Sequence, residues 1–126
     1  MRKNFSKSWK SSKQPRKQIK FRFIAPLHIK TKMIASHLSK ELRQKYSKRA
    51  ISVRKGDKVK IVRGASSGKV GKIERVDTKD MKVYIEKIEF TKKDGSKAFI
   101  PIDASNLIIL ELNTDDKKRL KRMKVK

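Results

Sequence analysis

The sequence predicts a mainly-β protein: one small barrel of five short strands held between strongly basic flanks, the N-terminal one an extended arm followed by short helices. Three observations predict this. From residue 53 to 112 apolar residues alternate with polar ones, as in half-buried strands. Turn-forming residues punctuate that stretch at short intervals. Charge also divides the chain into three parts. Residues 1–50 hold 16 bases and one acid, residues 51–112 hold 14 bases and nine acids, and residues 113–126 hold seven bases and two acids. The expected organisation is therefore a basic extension over 1–50 with two short helices, a barrel over 51–112, and a short basic helix and tail over 113–126.

Residues 1–24 show no helical or strand period, and Phe5, Trp9, Ile19, Phe21, Phe23 and Ile24 are too scattered for a core. They read as an arm that orders on a partner. Pro26 can open a short helix through about residue 33. Ser39 is placed to cap a second helix to about residue 46, with Glu41 and Lys45 matching the helix dipole and Leu42 and Tyr46 on one face.

Val59 and Ile61 alternate with Lys58 and Lys60 in the first strand, and Val70, Ile73 and Val76 mark the second. The uneven spacing of Ile73 and Val76 predicts a bulge or bend. Asp77-Thr78-Lys79-Asp80 is turn chemistry, and Met81, Val83 and Ile85 alternate after it. The apolar phase of this third strand shifts at Ile88 and Phe90, and Asp94-Gly95 signals a hairpin between it and a fourth strand over residues 98–102. Pro101 puts that strand at an edge or ends it. Residues 107–112 form the fifth strand. Five strands are too few for a sandwich, so a small closed barrel is expected. Asn113 or Thr114 should cap a last helix with Asp115 and Asp116 in its first turn.

The formal net charge is +25 over 126 residues, about one uncompensated charge every five residues. Such a body calls for a polyanion. No amphipathic basic helix and no apolar run near 20 residues points to a membrane. Cysteine is absent, which excludes disulfides and thiolate metal sites and suits a reducing compartment. The acid-free, Ser-rich first 20 residues invite a transit-peptide reading, but their bases are mostly Lys and Pro15 interrupts an amphipathic helix. His28 and His37 lack the partners of a metal site or a catalytic triad, and the pairs Asp77/Asp80 and Asp115/Asp116 are explained by turns and helix starts. No enzyme chemistry, cofactor, metal or small-molecule substrate is expected.

The informative stretch runs from Gly56 to Ile73. Gly64, Gly68 and Gly71 punctuate the turn between two strands, either as turn geometry alone or so that a sugar–phosphate chain can approach the backbone, with Lys69 and Lys72 adding phosphate contacts. It is not a Walker loop, because no Gly-Lys-Ser/Thr follows and the flanks are strands. Trp9, Phe21 and Phe23 lie among bases and either stack on unpaired bases or pack against protein.

From Lys55 to Ile85 the chain resembles the KOW motif, which belongs to an SH3-like barrel found in ribosomal proteins and transcription elongation factors. The flanks narrow the resemblance. Lys13-Gln14-Pro15-Arg16-Lys17-Gln18, Ala25-Pro26-Leu27-His28 and Leu38-Ser39-Lys40-Glu41-Leu42 resemble one ribosomal family, as do Pro101-Ile102, Ser105-Asn106-Leu107 and Asp115-Asp116-Lys117-Lys118-Arg119. That family is the universal large-subunit protein numbered twenty-four in its archaeal and eukaryotic form, twenty-six in eukaryotic naming. The short C-terminal tail leans archaeal.

The resemblance implies a cytoplasmic, structural constituent of the large ribosomal subunit that binds and positions large-subunit rRNA, joins early in assembly, and lies near the polypeptide exit tunnel beside neighbouring large-subunit proteins. It places the segment from Arg63 to Lys72 against rRNA, with Gly64, Gly68, Lys69 and Gly71 inside it. It threads Arg16, Lys17, Lys20 and Arg22 along the RNA and adds Lys30, Lys32, Arg54 and Lys55 as further contacts. Ser67 stands where members often carry Lys, and Ala65 replaces a commonly polar residue, so backbone and Lys69 matter most at this tip. Two rivals are a KOW transcription factor, which needs an α/β domain that residues 1–50 are too short to supply, and a sequence-blind packaging protein.

Overall fold

The structure, a computed structural model, describes residues 5, 6, 8, 12–121 and 123. Trp9, singled out above, lies outside them. Among the described residues, nine strands form one seven-stranded sheet and one two-stranded hairpin. In chain order the elements are helix α1 (Pro15–Ile24), α2 (Leu27–Met33), strand β1 (Ala35–Leu38), α3 (Lys40–Tyr46), β2 (Ala50–Ser52), β3 (Lys58–Ile61), β4 (Val70–Asp77), β5 (Lys82–Ile85), β6 (Glu89–Thr91), β7 (Lys97–Phe99) and β8 (Ile102–Asp103). A 3-10 turn (Ala104–Asn106), β9 (Leu107–Glu111) and α4 (Lys117–Lys121) complete it.

The large sheet runs β2-β1-β9-β3-β4-β5-β8. Five of its strands, β9-β3-β4-β5-β8, are antiparallel neighbours and form the expected SH3-like barrel. The alternation read from sequence is the alternation of burial. Val59, Ile61, Ile73, Val83, Ile85, Leu107 and Ile109 are at most 1% exposed and fill the centre. Between Ile73 and Arg75 the β4–β5 register shifts, which is the predicted bulge.

Four features differ from expectation. Residues 15–24, read as extended, are helical: Pro15 occupies the first turn, straight-chain residues follow, and no residue of α1 is buried. A helix with no fully buried residue needs no apolar stripe, so periodicity could not reveal it. Next, β1 lies inside the basic extension and β2 straddles its boundary with the barrel. They are only four and three residues long, too short for a period. β1 runs parallel to β9 and carries Leu38, fully buried, into the core. Third, the hairpin at Asp94-Gly95 forms, with Gly95 at φ 86° and the Asp94 carboxylate accepting from Ser96 N at 2.9 Å. Yet β6 and β7 pair only with each other. Pro101 interrupts the chain, and the strand that pairs with β5 is just Ile102–Asp103. Among the described residues no ladder joins β8 to β9 or to β2, so the barrel is partly open. The 3-10 turn spans the gap, and Ser36 Oγ donates to Ala104 O at 2.6 Å. Last, the cap of α4 is Asp116, which accepts from Lys118 N at 2.8 Å, while Asn113 makes a turn with Asp115 N at 2.9 Å.

Candidate nucleic-acid interface

The β3–β4 connection is a tight, cation-bearing tip. Gly68 N donates to Ile61 O at 2.8 Å and Ile61 N to Lys69 O at 2.9 Å, so strand pairing extends to the turn. Ser67 Oγ donates to Val62 O at 2.8 Å, and Ser67 N to Gly64 O at 3.0 Å. Gly64 and Gly68 adopt φ 98° and 87°, where L side chains are strained, and no atom lies within 4 Å of a Cβ built on either. Backbone and open space are thus both available there. Arg63, Lys69 and Lys72 are exposed and form no ion pair among the described residues.

Gly71 has a different reason. A Cβ there would sit 2.6 Å from Ile85 Cγ2 and 3.1 Å from Glu86 O. Glycine at 71 is therefore required by β4–β5 packing inside the barrel.

Lys72 lies opposite Lys58, at the far end of β3 from the tip, and the other predicted residues do not join the tip either. Arg54 and Lys55 lie on the β2–β3 loop, at the opposite end of β3, about 13 Å away along a four-residue strand. Arg54 pairs with Asp116, and Lys55 Nζ lies 3.4 Å from Glu74 Oε1. Arg16, Lys17, Lys20 and Arg22 are exposed along α1, which contains no acid. Lys32 is exposed on α2. Lys30 is not: it is 7% exposed, and its ammonium donates to Lys79 O at 2.9 Å. The cations thus form three groups: the barrel tip, the barrel base, and the two helices.

The aromatic residues separate as well. Phe21 packs against Phe5 with centroids 4.9 Å apart, while Phe23 stays 79% exposed. Tyr84 carries the Arg75 guanidinium 4.4 Å above its ring, a pair the sequence reading did not foresee.

A second unforeseen feature fixes the barrel base. Asp57 and Arg119 are 0% and 4% exposed. Arg119 Nη1 and Nη2 donate to Asp57 Oδ1 and Oδ2, both at 2.7 Å, and also to Asn113 O at 3.2 Å and Ser52 O at 3.1 Å. Asp57 accepts in addition from Arg54 N at 2.9 Å and Asn113 N at 2.8 Å. The fork ties β2, the β2–β3 loop, the end of β9 and α4 together. In the sequence Arg119 looks like one more base in a basic run, and Asp57 like a turn acid. At the surface, the Arg54 hydrogen bond, with a second from Lys118 N, holds the Asp116 carboxyl below its ordinary value of 3.8. Among the described residues no cluster of His, Asp or Glu could hold a metal, and no helix is long and apolar enough to cross a membrane.

The profile of one ribosomal protein family, described as L26 in eukaryotes and by the number twenty-four in archaea, matches residues 12–126. The chain belongs to this family. It is similar to the large ribosomal subunit protein uL24 of Methanosphaera stadtmanae, 45% identical over 108 residues, which cover 86% of this chain and 92% of that one. Family membership makes the protein a structural constituent of the large subunit, located in the cytoplasmic ribosome and not an enzyme. The match includes both flanks as well as the barrel.

Proposed function

We propose that this family member binds and positions large-subunit rRNA, with the barrel as a rigid wedge and the basic flanks neutralising converging phosphates. The observation that carries the reading is the β3–β4 tip: two open, positive-φ glycines flanked by Arg63 and Lys69, with no acid among the described residues to compensate them. Backbone N–H groups and cations presented together suit phosphate contact. α1 adds four exposed cations on an element with no fully buried residue, as expected of a surface waiting for RNA. The division into extension 1–50, barrel 51–112 and tail 113–126 is proposed as a functional one. We further propose early entry into assembly, a place near the exit of the polypeptide tunnel, and contacts with neighbouring large-subunit proteins.

The test is binding of the full chain to a large-subunit rRNA transcript against a small-subunit transcript across a salt series. Preference for the former is expected, with log affinity falling by about 0.7–0.9 per phosphate contact per log unit of salt. Removing residues 1–24 should flatten that slope and weaken binding steeply at moderate salt while the barrel stays folded. Equal binding without them would refute the role of the extension.

A further inference from the structure

Between α1 and the β4–β5 turn lies a hollow with apolar walls and a charged rim. Ile19 and Phe23, 67% and 79% exposed, stand on one side. Met81, half-buried and packed on the barrel core, stands on the other. Arg22, Lys79 and Asp80 line it as well.

The far wall is held in place. Asp77 Oδ1 accepts from Lys79 N at 2.9 Å and Asp80 N at 3.1 Å, which closes the turn. Buried Lys30 fastens Lys79 O to α2. Met81 then leaves the turn at φ 56°, an uncommon conformation for a non-glycine residue. The turn uses the carboxylate of Asp77, and that of Asp80 forms no ion pair among the described residues.

Apolar walls alone would suit many occupants, but the surrounding charge narrows the choice. Arg22 and Lys79 line the hollow, with Asp80 as its one acid among the described residues. α1 continues past it with Arg16, Lys17 and Lys20 and no acid, so an apolar protein side chain placed here would meet a net positive rim. A nucleotide brings a flat apolar face and its own phosphate. A base held in a duplex cannot enter between two walls; an unpaired one can.

We propose that this hollow receives one unpaired nucleotide of the RNA, which rests on the rRNA-binding reading above. Its base lies against Phe23 and Ile19 on one side and Met81 on the other. Arg22 and Lys79 meet the phosphate. Asp80, an acceptor only, takes an imino N–H from the edge of the base, which favours guanine or uracil.

The experiment is chemical probing of large-subunit rRNA, with a carbodiimide reporting unpaired base edges and hydroxyl radicals reporting the backbone. Full-length wild type is compared with Phe23→Ala, Phe23→Tyr and Asp80→Asn. Because Phe23 is largely exposed, its substitution leaves the core intact. Wild type should protect one unpaired base near the α1 footprint. Phe23→Ala should expose that base, leave backbone protection at the β3–β4 tip unchanged, and weaken binding about 5- to 150-fold, the range for stacking one base on an aromatic ring. Phe23→Tyr should restore protection, and Asp80→Asn should reduce it. Identical base footprints for wild type and Phe23→Ala overturn the assignment while leaving rRNA binding standing. Absence of any protection by wild type overturns both.

Discussion

Truncating Arg119 to Ala tests whether the C-terminal helix is part of the barrel. The substitution removes two charged hydrogen bonds of 2.7 Å and two weaker ones to Asn113 O and Ser52 O. It leaves the Asp57 carboxylate, 0% exposed, with only the backbone donors of Arg54 and Asn113. Breaking a buried pair from one side costs about 3–5 kcal/mol, mostly because the surviving charge stays out of water. Small domains are stable by about 5–15 kcal/mol, so the loss is a large share of the whole. At this chain length it corresponds to a fall in Tm of about 10–20 °C. Thermal unfolding followed by far-UV circular dichroism at pH 7 and fixed salt reads it directly. Arg119→Lys keeps the charge but not the fork, and should fall between wild type and Arg119→Ala. A drop of less than about 3 °C for Arg119→Ala, under 1 kcal/mol by the same conversion, would show that water reaches Asp57 and that α4 is not held by this pair.

Other outcomes follow from the same geometry. Gly71→Ala should lower stability in urea by about 1–3 kcal/mol through its clash with Ile85, and by more than Gly68→Ala, where only φ is strained; the reverse order would contradict the packing argument. Lys30→Met keeps the stem but removes the donor to Lys79 O, and should cost about 1–2 kcal/mol in the same assay. Asp116 has its folded value depressed below 3.8, so its contribution is present above that pH and is lost as pH falls through the folded value. An NMR carboxyl titration should find it below 3.8 in wild type and moved upward in Arg54→Ala.

The barrel was legible in the sequence because burial there obeys a period of two. Val59 and Ile61, Val83 and Ile85, and Leu107 and Ile109 point inward in pairs, with polar or half-buried residues between them. Ser39 was legible as a cap because capping chemistry is local: its hydroxyl accepts from Leu42 N at 3.3 Å. The tip glycines were legible in type, though Gly71 answers to Ile85 across the sheet, a partner that spacing does not reveal. What could not be read is what depends on distant sequence. Ser36 meets Ala104, β1 finds β9, and Arg119 finds Asp57 across 62 positions. The helix α1 escaped for the opposite reason, since it rests on propensity with no residue fully buried.

The place of β9 between β1 and β3 has a consequence in time. Leu38 waits for Ile109, and Val59 for the same residue. At about 5–20 residues per second, synthesis separates the first of these pairs by roughly 4–14 s. Until residue 107 and those after it have been made, β1 and β3 exist without the neighbour that joins them. They present unpaired backbone edges of the kind that aggregate. Over the same interval residues 1–50 already carry their full charge, with Glu41 the only acid among them. Like charge at that density makes growing chains repel one another while the core is unfinished.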